Sequence, residues 1–193
     1  KHTKEWLQLW AELTTPDSKA NAYRAMTGVT GTQGSSGTGV YATHIPLQFW
    51  FCRNPGLALP LIALQYHEVK LIIAFNAAKS PTNQTVTVWC DYVYLDTDER
   101  RRFAQQSHEY LIEQVQHSSL SGTERSKDLN FNHPVKELVI TGARDATTYT
   151  PAALADTYQV KLNGHDRFSA RNFTYFTRAQ VWAHHTGFGG INT

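Results

Sequence analysis

The chain is predicted to be all-β, a sandwich of antiparallel sheets, from three features of its sequence. Apolar residues recur at every second position along residues 45–52, 66–75 and 85–94, the period of a strand with one buried face. The stretch 45–69 reads as two buried strands joined by a short apolar connection punctuated by Pro55 and Pro60. Hydrophobic residues make up 41% of the 193 and aromatics 12%, ample for a packed core. That length accommodates one large domain or two small ones.

In chain order, residues 4–13 place Trp6, Leu7, Leu9, Trp10 and Leu13 at mostly helical spacing, which predicts a short amphipathic helix ended by Thr14, Thr15 and Pro16. A second short helix is expected over 19–26. Residues 27–43, with Gly31, Gly34, Gly37 and Gly39 among Ser and Thr, are too polar to bury surface and read as a long exposed loop. The loop lacks the Gly-Lys-Ser/Thr ending of a phosphate-binding loop. Ile45, Leu47, Phe49 and Phe51 then share one face, followed by His67, Val69, Leu71, Ile73 and Phe75. After a turn at 79–84, Val86, Val88, Cys90, Tyr92 and Tyr94 line another. Each pattern buries one side and leaves the other mixed, as in a sandwich.

Asp96-Thr-Asp-Glu99 has the spacing of a capping box, with a single helical turn through Arg100, Arg101, Arg102 and Phe103 expected after it. Residues 108–116 suit a helix through Leu111 and Val115, or a strand through Tyr110 and Ile112. Residues 118–127 are loop, and 129–141 are strand-rich with a break at Pro134. Residues 150–156 allow one helical turn with Pro151 at its first position. A strand over 158–162, a turn at Asn163-Gly164 and an aromatic strand region over 172–182 complete the chain.

The formal charge of +2, from 18 basic and 16 acidic residues, gives no basic field for a nucleic-acid partner. The Arg100–Arg102 run sits beside Asp96, Asp98 and Glu99 and reads as a solvated, ion-paired helix turn. Cys52 and Cys90 lie inside apolar runs, as free core cysteines do in proteins made in reducing cytosol. Residues 57–64 are too short for a membrane span and contain Pro60. The chain begins at Lys1 rather than Met, so an upstream part is expected.

Candidate chemistry is weak throughout. His165, Asp166, His184 and His185 are residue types that bind zinc or iron. On a strand, however, adjacent histidines face opposite ways, and His67-Glu68 meets Leu71 where a second metal-binding histidine belongs. Structural histidines are the stronger reading. No Gly-x-Ser-x-Gly nucleophile motif occurs, and Cys52 has only Arg53 as a basic neighbour. Capping accounts for Asp96, Asp98 and Glu99. Asn83-Gln-Thr85 and Asn172-Phe-Thr174 match the N-glycosylation sequon. Such triplets are common by chance, and both are read as chance matches, Asn83 being the better candidate. Tyr175, Phe176, Arg178 and Trp182 could stack on bases, but filling the space between sheets is favoured.

Several blocks carry a resemblance. Trp6-Leu-Gln-Leu-Trp-Ala-Glu-Leu-Thr14, Phe51-Cys-Arg-Asn-Pro-Gly-Leu-Ala-Leu-Pro-Leu-Ile-Ala-Leu64 with Tyr66-His-Glu68, and Asp91-Tyr-Val-Tyr-Leu-Asp-Thr-Asp-Glu-Arg-Arg-Arg-Phe103 appear in order. His108-Glu-Tyr-Leu-Ile-Glu-Gln114, His133-Pro, Lys136-Glu-Leu138, Leu162-Asn-Gly-His-Asp-Arg-Phe168, Tyr175-Phe176 and His184-His185 follow. Together they resemble the major capsid proteins of the nucleocytoplasmic large DNA viruses, on the algal virus and iridovirus branch, nearly end to end.

The resemblance implies a double jelly roll, two tandem antiparallel β-sandwiches, lacking here the first strands of roll one and the last strands of roll two. Residues 1–105 would be the later part of the first roll with surface loop 27–43, and 106–193 a linker and the early part of the second. A fragment, or a longer protein seen only in part, is expected, with raw sheet edges. It also tips 108–116 towards strand. The signature positions, all structural, are Arg53, Asn54, Pro55, Gly56, Pro60, Tyr66, Asp91, Asp96, Asp98, Glu99, Arg100, Arg101, Arg102, Asn163, Gly164, His165, Asp166, Arg167 and Phe168. The 163–166 turn would be fixed by polar contacts, with Asp166 and Arg167 ion-paired.

The implied function is a structural, non-enzymatic one without cofactor or metal: homotrimers form pseudo-hexagonal capsomers that tile the icosahedral shell of a virion assembled in host cytoplasm. Partners would be the chain itself and minor capsid proteins, with an inner membrane nearby but no insertion and no nucleic acid. The alternative is a carbohydrate-binding β-sandwich module that stacks sugars on exposed Trp and Tyr. A metal-dependent jelly-roll enzyme is the weakest reading.

Overall fold

The computed structural model describes residues 1–28, 43–75, 86–119, 126–141, 144–145, 148–149 and 157–187. Helix α1 runs over Lys4–Thr14. The Thr3 hydroxyl accepts from the Trp6 amide at 3.2 Å, and Glu5 in the first turn suits the positive end of the helix dipole. Trp6 and Trp10, one turn apart, stack with ring centroids 5.4 Å apart. The helix stops where Thr15 turns extended before Pro16. Helix α2, Asp17–Thr27, begins directly after Pro16 and ends on Gly28 at φ +69°, the left-handed conformation that glycine adopts without a Cβ penalty. The His44 amide donates to Met26 O at 3.0 Å, tying together the two ends of the expected 27–43 loop. Its residues 29–42 lie outside those described.

The stretch 45–69 departs from the two expected strands. It holds 3-10 turns at Trp50–Cys52 and Pro55–Leu57, then a run of turns over 61–66. The reason is local. Asn54 Oδ1 accepts from the Gly56 amide at 2.9 Å, and the amides of Leu57, Ala58, Ala63, Leu64 and His67 donate to carbonyls three or four residues back. Backbone donors satisfied in this way are unavailable to a sheet ladder, and three prolines supply none.

Helix α3, Thr97–Gln105, is longer than the single turn expected and carries the predicted capping box. Asp96 Oδ1 accepts from the Thr97 amide at 2.7 Å, and Glu99 Oε2 accepts from the Asp96 amide at 3.3 Å. Residues 66–75, 86–95, 107–119 and 126–141 form neither helix nor ladder among the described residues. Along 71–73 the alternation persists in exposure, with Leu71 at 42% and Ile73 at 45% flanking Ile72 at 89%, whereas along 92–94 it does not, with Tyr92 at 66%, Val93 at 65% and Tyr94 at 92%. In place of a ladder, the Gln116 side chain donates to Asn132 O at 3.2 Å and accepts from the Asn132 amide at 3.1 Å.

Among the described residues, sheet appears as three short antiparallel pairs: β1 (Arg144–Asp145) with β2 (Thr148–Tyr149), β3 (Thr157–Tyr158) with β6 (Arg171–Asn172), and β4 (Lys161–Leu162) with β5 (His165–Asp166). The β4–β5 hairpin pairs Lys161 with Asp166 and Leu162 with His165 across Asn163 at φ +52° and Gly164 at φ +80°. Two consecutive positive φ values match the right-handed twist of the flanking strands, as the Asn-Gly pair predicts. The expected aromatic strand over 172–182 is helical instead. After β6 the chain enters a π-helical run, Tyr175–Gln180, and helix α4, Val181–His184. Phe176 packs against Tyr158 and Phe168 at centroid distances of 6.0 and 5.6 Å, so the aromatics there are gathered by one helical face. Trp182 is 87% exposed rather than core.

The chain divides into one unit of Lys1–Gln48 with Gln114–Thr193 and a second of Phe49–Glu113. Ala11 and Leu13 are the buried apolar residues among those described. Two buried apolar residues do not make a completed sandwich core among the described residues.

Candidate functional site

Among the described residues, each unit has a junction that holds sequence-distant segments together. In Phe49–Glu113 the signature turn is fastened to the segment after α3. Arg53 Nη1 lies 2.6 Å from Glu113 Oε2 across sixty positions, with both side chains half-buried. Beside it Trp50 meets Tyr110 at a centroid distance of 5.9 Å. His108 supports the same segment, with its ring stacked on Phe103 at 5.0 Å and Nε2 donating to Phe103 O at 2.7 Å. Arg53, Asn54, Pro55 and Gly56 thus act as one unit: Asn54 shapes the turn, and the turn aims the guanidinium at Glu113.

The other signature positions are dispersed. Pro60 O accepts from the amides of Ala63 and Leu64. Tyr66 is 93% exposed, and Asp91 is exposed on an unpaired segment. On α3, Asp98 and Arg101 pair at 3.7 Å, both largely exposed, so the arginine run is a solvated helix face. Asp166 pairs with Lys161 across the hairpin at 3.4 Å instead of with Arg167, because register partners face the same side of a ladder while neighbours do not. Phe168 lies beside Phe176, and Arg171 sits over the Tyr175 ring at 4.3 Å and the Phe168 ring at 5.8 Å.

In the other unit the segment after α4 clasps the end of α1. The Gly187 amide donates to Leu13 O at 2.8 Å, and the Thr186 hydroxyl donates to Thr14 O at 2.8 Å. The His185 ring stands edge-on to Trp10 at 6.0 Å. Its Nε2 lies 2.7 Å from Glu137 Oε1, with the imidazole 11% exposed. These bonds take up carbonyls that a helix C-terminus leaves open. A Cβ on Gly187 would lie 2.6 Å from Leu13 O, so only glycine allows this approach.

His184 and His185 belong to a helix end, so the opposite-faces argument for strands does not govern them. His185 is committed to Glu137. Among the described residues, no group of three or more His, Cys, Asp or Glu is placed to hold a metal ion. Cys52 and Cys90 are free and exposed, against the expectation of core cysteines. Although the residue is exposed overall, partial burial of the Cys52 thiol pushes it up, a backbone hydrogen bond at Phe49 opposes this, Cys90 adds to the rise and Arg53 lowers it. A thiol shifted in that direction is a poorer nucleophile at neutral pH. No helix among the described residues is long and apolar enough to cross a membrane. Asn83 lies outside the described residues.

Glu113, Glu137, Thr186 and Gly187 escaped sequence reasoning because each acquires its role from a partner far along the chain. Only the close approach at Gly187 leaves a trace in sequence, a glycine next to an exposed threonine, and that is too common to read.

The contacts described above fasten turns and helix ends. A family model described as the major capsid protein N-terminus matches residues 1–96, and one described as large eukaryotic DNA virus major capsid protein matches residues 99–188. The chain belongs to the family of major capsid proteins of large eukaryotic DNA viruses. It is similar to the major capsid protein of Pyramimonas orientalis virus, 46% identical over 205 residues that cover 96% of this chain and 50% of that protein. The major capsid protein of Paramecium bursaria Chlorella virus 1 is 33% identical over 236 residues, covering 94% of this chain and 54% of that protein. Capsid protein 1 of Acanthamoeba polyphaga mimivirus is 40% identical over 168 residues, covering 72% of this chain and 28% of that protein. The chain spans about half the length of the first two relatives. No solved structure matches it significantly.

Proposed function

We propose that the chain contributes to a double jelly-roll subunit whose trimers form pseudo-hexagonal capsomers of an icosahedral shell, without enzymatic activity. The carrying observation is a run of apolar residues at every second position on segments with no ladder partner among the described residues. Val69, Leu71, Ile73, Phe75, Val86 and Val88 remain 42–55% exposed, apolar stripes of the kind that sandwich strands cover. The first two relatives are about twice as long, which leaves length for such strands. The two family models meet between residues 96 and 99, close to the proposed boundary between roll one (1–105) and roll two (106–193).

In this reading the signature positions Arg53 to Gly56 and Asp96 to Arg102 set the turns and helix at the end of roll one. The Asn163–Phe168 hairpin opens roll two. Partners are further copies of the chain and minor capsid proteins, next to an inner membrane, in a virion assembled in host cytoplasm. Weak contacts multiplied by closed symmetry hold the shell.

The test is the mass and shape of the protein expressed from its full reading frame. Trimers by native mass spectrometry, with two stacked sandwiches per subunit by cryo-electron microscopy, are expected. A monomer that binds glycans through exposed aromatics such as Trp89 and Trp182 would replace this reading with the carbohydrate-binding one. A stoichiometric bound metal would replace it with an enzyme.

A further inference from the structure

We propose that Asn163 is a site of spontaneous conversion to isoaspartate by cyclisation and hydrolysis, an inference independent of the capsomer reading. Asn163 is followed by glycine, whereas the other asparagines of the chain are followed by Ala, Pro, Gln, Phe, His or Thr. The reaction needs a carboxamide carbon open to attack, a following backbone nitrogen free to attack it, and room around that nitrogen. The turn between β4 and β5 supplies all three. Asn163 and Gly164 are both exposed, and the ladder pairs Leu162 with His165 and Lys161 with Asp166, leaving the two turn residues outside it. Among the described residues, neither the Asn163 side chain nor the Gly164 amide has a hydrogen-bond partner. A Cβ on Gly164 would meet nothing within 4 Å, so the space beside the nucleophile is open. Other asparagines lack one of these conditions. Pro55 after Asn54 carries no N–H, the amide after Asn21 lies inside helix α2, and Asn172 Oδ1 is held by Thr174 at 3.0 and 2.9 Å.

In the reaction the Gly164 nitrogen bonds to Asn163 Cγ and gives up its proton to hydroxide. The Cγ–Nδ2 bond breaks, and Nδ2 leaves as ammonia with the electron pair and a proton from water. Water then opens the five-membered imide at either carbonyl. Cleavage at Cγ gives aspartate; cleavage at the main-chain carbonyl gives isoaspartate, whose backbone runs through Cβ and Cγ. Nothing is oxidised or reduced. Ring closure requires the Asn163 backbone to rotate away from its turn geometry, so it proceeds when the hairpin opens. Two residue pairs and the Arg167 N–H to Val160 O bond at 2.9 Å hold the hairpin shut, and an isolated two-stranded hairpin is marginal in water. The extra backbone carbon of isoaspartate does not fit a two-residue turn built on φ values of +52° and +80°. The Lys161–Asp166 pair at 3.4 Å therefore separates in the product.

The test is peptide mass spectrometry on the full-length protein incubated at neutral pH and physiological temperature, folded and in urea, each against a zero-time sample. Isoaspartate is identified by labelling with an isoaspartate-specific methyltransferase. Conversion at Asn163 in the folded protein is expected within roughly tenfold of the rate in urea, as for a locally opening hairpin, while Asn132 and Asn172 remain amides. Gly164→Ala in urea should slow conversion through the methyl group beside the nitrogen, a readout that needs no folded variant. Folded-state conversion slower than that tenfold range would overturn the proposal, as would equal conversion at Asn132 or an undiminished rate in Gly164→Ala.

Discussion

Replacing Gly187 by alanine probes the clasp between the end of α1 and the segment after α4. The added Cβ would lie 2.6 Å from Leu13 O, well inside contact distance, against backbone rather than a flexible side chain. Relieving such overlap costs about 1–3 kcal/mol. The Gly187 N–H to Leu13 O bond at 2.8 Å would stretch or break, adding about 1 kcal/mol. Together, about 2–4 kcal/mol corresponds to roughly a 30- to 700-fold fall in local protection. The upper end amounts to undocking the segment. Hydrogen–deuterium exchange resolved to single amides reads this at position 187 and in the last turn of α1. Gly164→Ala is the matched control: it has no atom within 4 Å of a new Cβ but a φ of +80°. It should cost about 1–2 kcal/mol from conformation alone and leave α1 untouched. Unchanged protection at residues 13–15 and 187 in Gly187→Ala would refute the clasp.

Arg53→Ala or Glu113→Gln should loosen residues 108–113 by about 1–2 kcal/mol, discounted because both groups are partly exposed; a double-mutant cycle with near-zero coupling would contradict this. Asp96→Ala should destabilise α3 by about 1 kcal/mol, seen as faster amide exchange at Thr97 to Glu99. Asp166→Asn should change stability by less than about 0.5 kcal/mol, since its pair with Lys161 is exposed on both sides, and a larger loss in urea titration would show a role beyond that pair. Cys52, its thiol pushed up mainly by burial, should react with a thiol reagent slowly at neutral pH and faster in alkali. Its protonated form is favoured in the folded chain, so the stability it contributes is complete below the unfolded thiol's range and lost as pH rises through the folded value. Faster alkylation at neutral pH than in the unfolded chain would reverse that sign.

Local rules made much of the chain legible. Thr14, Thr15 and Pro16 end α1, Asp96 and Glu99 start α3, and Asn163-Gly164 closes a hairpin, because each signal and its partner lie within a few residues. Sequence alone also determined the period-two stripes over 66–75 and 86–94, together with the family blocks around Arg53 and Arg100. It misjudged 45–69 and 172–182, where β-forming apolar and aromatic residues yielded to prolines, an Asn54 turn and helical packing around Phe176. Tertiary structure alone decided that Arg53 meets Glu113, that His185 meets Glu137, and that Gly187 must be glycine. Those contacts span tens to hundreds of positions, and no local preference encodes which distant group will arrive. The same physics explains the exposed stripes: alternation specifies a face to be buried, whereas no local pattern encodes what covers it.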